Sequence, residues 1–144
     1  MKQHKAKAQW KGSLKEGSGE FETGRGNVKT GYSFASRFGD DTKATSPEEL
    51  IGAAHAGCFS MFLSALLGNQ NITPDYISTT ADVTLGETDG APTIQKIVLT
   101  TEAKVPNLQN DDFQKLVQEA KQKCPVSKAL SAVPEISVNA TLKE

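Results

Sequence analysis

Two cysteines are the side chains of this sequence best suited to covalent chemistry. Cys58 follows Gly57 in a long apolar segment, and Cys124 immediately precedes Pro125. The thiolate of cysteine is a nucleophile, and a cysteine oxidised to sulfenic acid condenses with a second thiol to form a disulfide. A plainer interpretation stays open, because free cysteine is also common as a small apolar residue in protein cores. The two residues therefore permit redox chemistry without requiring it.

Arg37 and His55 are the two side chains expected to influence Cys58. Arg37 lies between Phe34 and Phe38, and a nearby guanidinium would oppose the rise in thiol pKa that burial causes. His55 stands one helical turn before Cys58, so a Cys–His pair for acyl transfer or proteolysis is another candidate. We favour a histidine held by a backbone or solvent partner, because no Asn or Asp is evidently placed to orient its ring.

The segment that carries Cys58 is predicted to be one long helix. Ser46 is a favourable N-cap, Pro47 suits the first helical position, and Glu49 completes a capping box. Gly68 is a typical stop signal. The run of about 20 nearly uncharged residues makes a helix about 30 Å long. Its apolar residues cover most of its circumference, so it either spans a membrane or is buried on all sides, and the scattered small and polar residues favour burial.

Hydrophobic periodicity predicts the other elements. Three strands precede the long helix, a hairpin follows it, and a second helix, capped by Asn110, is broken at Pro125. The order is βββ-α-ββ-α-(α)-β, an α+β fold with antiparallel sheets wrapped around the long buried helix and the second helix. The predicted segments are strands at 4–10, 20–23, 28–34, 76–85, 94–105 and 136–142, a polar loop at 37–45 and a short helical piece at 127–133.

Length and charge predict a single cytoplasmic domain, 1–144. The 16 Lys and Arg nearly balance the 17 Asp and Glu, so no basic patch points to nucleic acid or to a membrane surface. Segment 1–11 is charged and lacks the apolar run of a signal peptide. In a reducing compartment two cysteines are expected as thiols rather than a structural bridge. Two cysteines and two histidines without ligand spacing argue against structural zinc.

Four segments together resemble the OsmC/Ohr family, the osmotically inducible protein C and organic hydroperoxide resistance proteins. The similarity runs over essentially the whole chain, and the Gly-Ala-Ala-His-Ala-Gly-Cys form is like the OsmC branch. The segments are SPEELIGAAHAGC at 46–58, KCPVS at 123–127, FASRF at 34–38 and TTADVTL at 79–85.

The resemblance implies an intertwined homodimer that reduces alkyl or fatty-acid hydroperoxides to alcohols in oxidative or osmotic stress, without metal or bound cofactor. Cys58 matches the peroxidatic cysteine and Cys124 the resolving cysteine, which form an intramolecular disulfide. Arg37 matches the arginine that activates the thiolate, and Glu48 the carboxylate that positions it. Glu49 is a close rival of Glu48, although the helix pattern favours a capping role for it. A dithiol reductant, in the Ohr branch a lipoylated protein, would complete the cycle.

A second class of function stays open, namely a dimeric binding module for a hydrophobic small molecule with both cysteines as core residues. Consumption of organic hydroperoxide in the presence of a dithiol separates the two classes.

The helix geometry predicts a site shared between two chains. Glu48 and Cys58 differ by about 15 Å along the helix axis and about 80° around it, so Glu48 cannot serve the cysteine of its own helix. A second helix packed antiparallel would bring the start of one helix near the middle of the other. We therefore predict an obligate two-fold homodimer, with Arg37 and Glu48 of one subunit facing Cys58 of the other. Small residues would permit the close approach: Gly52, Ala53, Ala56 and Gly57.

Overall fold

The computed structural model describes residues 1–144. The order of strands and helices agrees with the α+β fold that the sequence predicts. The chain divides into two compact units, Met1–Leu50 and Ile51–Glu144. The elements are β1 (Ala6–Lys11), β2 (Ser18–Thr23), β3 (Lys29–Tyr32), α1 (Phe34–Phe38), α2 (Pro47–Gly68), β4 (Tyr76–Thr88), β5 (Ala91–Lys104), α3 (Asn110–Lys123), α4 (Pro125–Ala129) and β6 (Glu135–Lys143).

The first unit is built on an antiparallel sheet in the order β1-β2-β3. Gly19 lies between Trp10 and Tyr32 in one cross-strand row, and a β-carbon there would collide with both rings. The absent side chain lets the aromatic rings close over the strand, and Phe21 stacks on Tyr32 with centroids 3.9 Å apart. The buried hydrophobic residues of the chain all belong to the second unit, so this sheet builds no core of its own.

A short helix that the sequence analysis missed follows this sheet. A strand to 34 and a polar loop from 37 were predicted, whereas α1 forms at Phe34–Phe38. Ser33 and Ser36 form a reciprocal capping box, with N···Oγ distances of 3.1 and 2.9 Å. The hydroxyl of Ser36 also donates to the carbonyl of Thr45 at 2.6 Å. Five residues are too few to show helical periodicity, and the capping pair is Ser–Ser rather than the usual Ser–Glu.

The second unit contains a mixed sheet in the order β4-β5-β6. Strands β4 and β5 form the predicted hairpin, closed by Asp89 and Gly90, which both have positive φ (52° and 78°). Strand β6 runs parallel to β5, which corrects the expectation of purely antiparallel sheets. The reason is the connection: α3 and α4 lie between β5 and β6, and such a crossover returns the chain in the same direction. Helix α3 begins at Asn110, whose predicted place as cap belongs to Gln109.

Helix α2 is buried on one side only within the chain. Its fully buried side chains recur every four residues, at His55 and at the apolar Phe59, Leu63 and Leu67, and the three apolar ones form one core cluster with β5 and α3. Burial of each such side chain contributes about 1.5–3 kcal/mol. The opposite side is exposed, and Met61 there has 79% relative exposure, so burial on all sides is not reached. The exposed positions are Ala53, Ala54, Gly57, Met61, Ala65 and Gly68.

Helix α2 is long and apolar enough to cross a membrane by length and composition, a test that core helices of soluble proteins also pass. Gly52, expected to face a second helix, instead packs on β4, where an added β-carbon would lie 3.3 Å from Val83 Cγ2. Gly52 therefore contributes to packing within the chain.

Candidate active site

Cys58 and Cys124 meet in the second unit. Cys58 lies in the middle of α2, and Cys124 stands between α3 and α4. Both are free thiols, and Cys124 Sγ lies 2.7 Å from Cys58 Sγ, so the two sulfur atoms are in direct contact. Cys124 is fully buried, whereas Cys58 is partly exposed. One thiol is thus reachable from outside the unit and the second stands directly behind it.

The junction of α3 and α4 explains how Cys124 reaches this position. A residue that precedes proline is kept out of the helical region, and Cys124 is extended, with φ −53° and ψ 127°. Its N–H still donates to the carbonyl of Ala120 and ends α3, while Pro125 begins α4. The same turn aims the backbone N–H of Val126 at the Cys58 thiol. A Cys–Pro step therefore supplies both a second thiol and a hydrogen-bond donor to Cys58.

The surroundings of Cys58 do not by themselves favour its thiolate. Burial, followed by the hydrogen bond with Cys124, raises the pKa of the Cys58 thiol, and the Val126 N–H opposes this rise only in part. No positively charged side chain contributes to the pKa of the Cys58 thiol. Both arginines of the sequence, Arg25 and Arg37, lie in the first unit. Neither guanidinium therefore belongs to the unit that holds Cys58.

Arg37 and Glu48 form a bidentate ion pair in the first unit. Arg37 Nη2 donates to Glu48 Oε1 at 2.8 Å, and Nε lies 3.1 and 3.3 Å from the two carboxylate oxygens. Glu48 rather than Glu49 is therefore the partner of Arg37. The backbone N–H of Glu49 donates to Ser46 Oγ, so Ser46 caps α2 as predicted. The Glu49 carboxylate accepts from Thr45 Oγ1 at 3.0 Å rather than from the Ser46 N–H, so the predicted capping box is only half formed.

An aromatic hollow of about 220 Å³ adjoins Arg37 in the same unit. The guanidinium carbon lies 5.1 Å from the centroid of the Phe38 ring, within reach of a cation–π interaction. The hollow combines apolar walls with a single positive charge, which suits an apolar molecule that carries one polar end. Its lining is Trp10, Leu14, Tyr32, Ser33, Phe34, Arg37 and Phe38.

His55 does not pair with Cys58. Its ring is fully buried, and Nε2 lies 2.7 Å from the hydroxyl of Ser127, while Nδ1 has no partner. Burial lowers the pKa of His55, so the ring stays neutral. A histidine bonded to a serine and oriented by no acid lacks the geometry of a Cys–His hydrolase. No group of three or more His, Cys, Asp or Glu side chains is placed to hold a metal ion.

Ser127 and Val126 are the site residues that the sequence analysis did not single out. Their signal is spacing: Ser127 follows Cys124 by three residues, as His55 precedes Cys58 by three. Only the meeting of α4 with α2 turns that spacing into a contact.

Comparison with known proteins gives consistent matches over most of the chain. A family model described as OsmC-like protein matches residues 39–139. Peroxiredoxin OsmC of Escherichia coli (strain K12) is 46% identical over 140 residues, 96% of each chain. Organic hydroperoxide resistance protein-like 1 of Staphylococcus epidermidis is 32% identical over 105 residues, which cover 72% of this chain and 74% of that protein.

Two solved structures share the fold. An organic hydroperoxide resistance protein OsmC from Legionella pneumophila is 25% identical, with a TM-score of 0.71 and 97% of each chain covered. The organic hydroperoxide resistance protein OhrB of Bacillus subtilis is 27% identical, with a TM-score of 0.64, over 96% of this chain and 98% of that chain.

Proposed function

Because this chain belongs to the OsmC-like protein family, we propose that it is a thiol peroxidase that reduces organic hydroperoxides to alcohols in defence against oxidative or osmotic stress. The observation that carries this conclusion is the 2.7 Å contact between two free thiols, Cys58 and Cys124. The names of the relatives, peroxiredoxin and organic hydroperoxide resistance protein, support the same chemistry. The match at 96% of both chains supports one domain over 1–144.

The reaction proceeds in two steps on this pair. The Cys58 thiolate attacks the distal oxygen of the hydroperoxide, the O–O bond breaks, and the released alkoxide takes a proton and leaves as an alcohol. Cys58 is then a sulfenic acid. The thiol of Cys124 attacks the sulfenic sulfur, an S–S bond forms, and the hydroxyl leaves as water. A dithiol reductant, such as the lipoyl group of a lipoylated protein, returns both cysteines to thiols by exchange.

Arg37 and Glu48 complete the proposed catalytic set, with Arg37 held by Glu48 and facing Cys58 of a partner subunit. The bidentate pair orients the guanidinium, and a guanidinium near Cys58 would lower the pKa that burial raises. Glu48 and Cys58 are separated by about 15 Å along α2, so Glu48 cannot hold a guanidinium at the Cys58 of its own helix. The aromatic hollow beside Arg37 supports an apolar organic hydroperoxide over hydrogen peroxide.

Two features support the homodimer that this shared site requires. One side of α2 is exposed, apolar and made mainly of small residues, and such a stripe is normally covered by a partner. The aromatic sheet of the first unit has no fully buried hydrophobic residue. A two-fold contact would cover the same surface on both subunits. Because turnover requires a supply of reduced dithiols, the cytoplasm is the proposed location.

Peroxide consumption tests the proposal. Cumene hydroperoxide, tert-butyl hydroperoxide, a fatty-acid hydroperoxide and hydrogen peroxide are each offered with dithiothreitol, dihydrolipoamide or thioredoxin. We expect the organic hydroperoxides to be consumed faster than hydrogen peroxide, and Cys58→Ser to abolish consumption. Equal consumption by the Cys58→Ser variant would exclude the peroxidase. Binding of an organic hydroperoxide without its consumption would favour the alternative, a binding module for a hydrophobic small molecule.

A further inference from the structure

We propose that the His55–Ser127 hydrogen bond is a positioning clamp that holds Cys124 against Cys58, so that the oxidised Cys58 is resolved before a second peroxide reaches it. The inference rests on the proposed peroxidase function and assigns it two further residues. Neither residue touches the peroxide, so both are positioning residues.

Two side-chain bridges join α2 to the segment made of Cys124 and α4. Cys58 of α2 meets Cys124 at 2.7 Å, and His55 of α2 meets Ser127 of α4 at 2.7 Å. On each element the two residues are one helical turn apart, in opposite order, so the bridges lie side by side. Helix α4 also packs against α3, and the second contact with α2 fixes its direction relative to the helix that carries Cys58. The second bridge therefore determines where the resolving thiol stands.

The burial of this pair shows that it serves more than packing. The His55 ring is fully buried and Ser127 is 7% exposed. An apolar pair would fill the same space without the cost of removing polar groups from water. What a hydrogen bond adds is direction, since it weakens steeply when its angle or length departs from the optimum. A directional bond one turn from the thiols keeps the turn at Cys124 in register with α2.

The unpartnered Nδ1 atom indicates which tautomer makes the bond. If Nε2 accepted from Ser127, Nδ1 would carry a buried N–H with no acceptor, and orphaned buried N–H groups are rare. If Nε2 carries the proton and donates to Ser127 Oγ, Nδ1 is a bare lone pair, and the structure leaves it without a donor. We therefore assign the Nε2–H tautomer. A neutral ring donates one bond continuously and adds no charge beside the thiols.

The clamp acts on one step of the cycle. Formation of the sulfenic acid requires Cys58 and the peroxide, and Cys124 does not take part. Disulfide formation requires the Cys124 sulfur within reach, and it competes with a second oxidation to sulfinic acid. A loosened clamp therefore slows resolution and increases overoxidation, while the first oxidation proceeds at its ordinary rate.

Rapid mixing of reduced protein with one equivalent of cumene hydroperoxide separates the steps. For Ser127→Ala we expect an unchanged rate of peroxide loss and disulfide formation about fivefold slower, the factor that corresponds to one hydrogen bond of ordinary strength. Excess peroxide should then give more sulfinic Cys58 in the intact mass. Ser127→Thr keeps the hydroxyl and should resolve as the wild type does. The double variant His55→Leu with Ser127→Val removes the bond but keeps the site filled, in case Ser127→Ala folds poorly.

Ser60→Ala is the matched control. Ser60 lies on the same helix, and its hydroxyl donates a 2.7 Å hydrogen bond to Thr79 Oγ1 of β4, a strand that neither bridge involves. A general loss of stability would slow both variants alike, whereas the clamp predicts slow resolution for Ser127→Ala alone. Resolution at the wild-type rate in folded Ser127→Ala and in the double variant would overturn the proposal.

A second measurement keeps the clamp distinct from the peroxidase. The equilibrium between the Cys58–Cys124 disulfide and dithiothreitol gives the effective concentration of one thiol toward the other without any peroxide. The clamp predicts about a fivefold lower value in Ser127→Ala, and an unchanged value would overturn it. Absence of peroxide loss in the wild type would refute the proposed function, while this equilibrium would still decide the clamp.

Discussion

The guanidinium of Arg37 lies on the carboxylate of Glu48, with Nη2 and Nε at 2.8 and 3.1 Å from the same oxygen. The Glu48 side chain is 8% exposed and that of Arg37 is 37% exposed, so the pair is anchored at its carboxylate end. A guanidinium held in this way keeps further N–H donors free. Arg37 therefore contributes both an oriented set of N–H donors and a positive charge. Arg37→Lys removes the first, and Arg37→Gln removes both.

Replacement of Arg37 by Lys should lower kcat/KM roughly tenfold to a hundredfold, although the charge is kept. An ammonium is a point charge and cannot bond Glu48 with a planar fork while it presents donors to a peroxide. Steady-state consumption of cumene hydroperoxide measures the loss. Arg25→Lys is the control, because Arg25 is the other arginine of the chain and is exposed. Near wild-type turnover by Arg37→Lys would show that the reaction does not need the planar guanidinium.

Replacement of Arg37 by Gln should move the pH dependence of Cys58 oxidation to higher pH. Without the guanidinium, the pKa of the thiol is set by burial and by Cys124, which both raise it. The thiolate is the reactive form, so the rate at neutral pH falls and part of it returns as the pH rises. The rate of peroxide loss in single turnovers, followed across pH for wild type, Arg37→Gln and Arg25→Gln, measures the shift. An unmoved profile would mean that Arg37 does not act on the Cys58 thiol.

The long elements of the fold were predictable from the sequence, whereas short elements and strand partners were not. Helix α2 has capping residues at Ser46 and Pro47 and a run of apolar residues, and it spans Pro47–Gly68 as predicted to within a residue. Helix α1 has five residues and no period to detect. The parallel pairing of β6 depends on where α3 places the chain, which is tertiary information. The packing partners of the α2 surface were not predictable either. Gly52 was expected to face a second helix, but it packs against its own chain.

Some features of the candidate site could be predicted from the sequence, and others could not. Spacing placed Cys58 and Cys124 on separate helices but did not predict their contact, which came from family resemblance. The choice between Glu48 and Glu49 needed coordinates, since both lie in the first turn and only Glu48 meets Arg37. The partner of His55 was not predictable, because a serine in a short helix carries no signal until α4 meets α2.

Acid should destabilise the protein through His55. Burial lowers the pKa of His55, so the unfolded chain, in which the pKa is about 6.5, binds more protons than the native state. Stability is therefore fully present above the unfolded pKa, and it falls as the pH drops below that value toward the folded pKa. Urea midpoints at about pH 7.5 and about pH 5.5 should differ less in His55→Gln than in the wild type. His4→Gln, at an exposed position, is the control and should keep the full difference.

Cys124→Ser should complete the first oxidation but not the second step. Cys58 would stop as a sulfenic acid, which dimedone traps, and excess peroxide would carry it to sulfinic acid. In the wild type the intact mass should instead show the loss of two hydrogen atoms within one chain. A link between Cys58 residues of two chains as the sole wild-type product would exclude Cys124 as the resolving thiol.

The shared site makes a prediction that no intrachain site can match. At neutral pH Cys58→Ser should be inactive and Arg37→Gln should keep only a small residual activity, and mixing them under subunit exchange should restore activity above that residue. In each heterodimer the intact Cys58 faces the intact Arg37 of the other chain, while the second site has neither. Random exchange of equal amounts should restore about a quarter of wild-type activity, as two-fold symmetry requires.

A reverse experiment provides the control. The double variant Cys58→Ser with Arg37→Gln, mixed with an equal amount of wild type, should lower the wild-type activity by about half. Every heterodimer then pairs the intact Cys58 with a chain that lacks Arg37. A site built within one chain predicts no recovery in the first mixture and no loss in the second, provided that native mass spectrometry confirms exchange. A monomer at micromolar concentration would exclude the shared site directly, because Arg37 and Cys58 of different chains would then have no lasting contact.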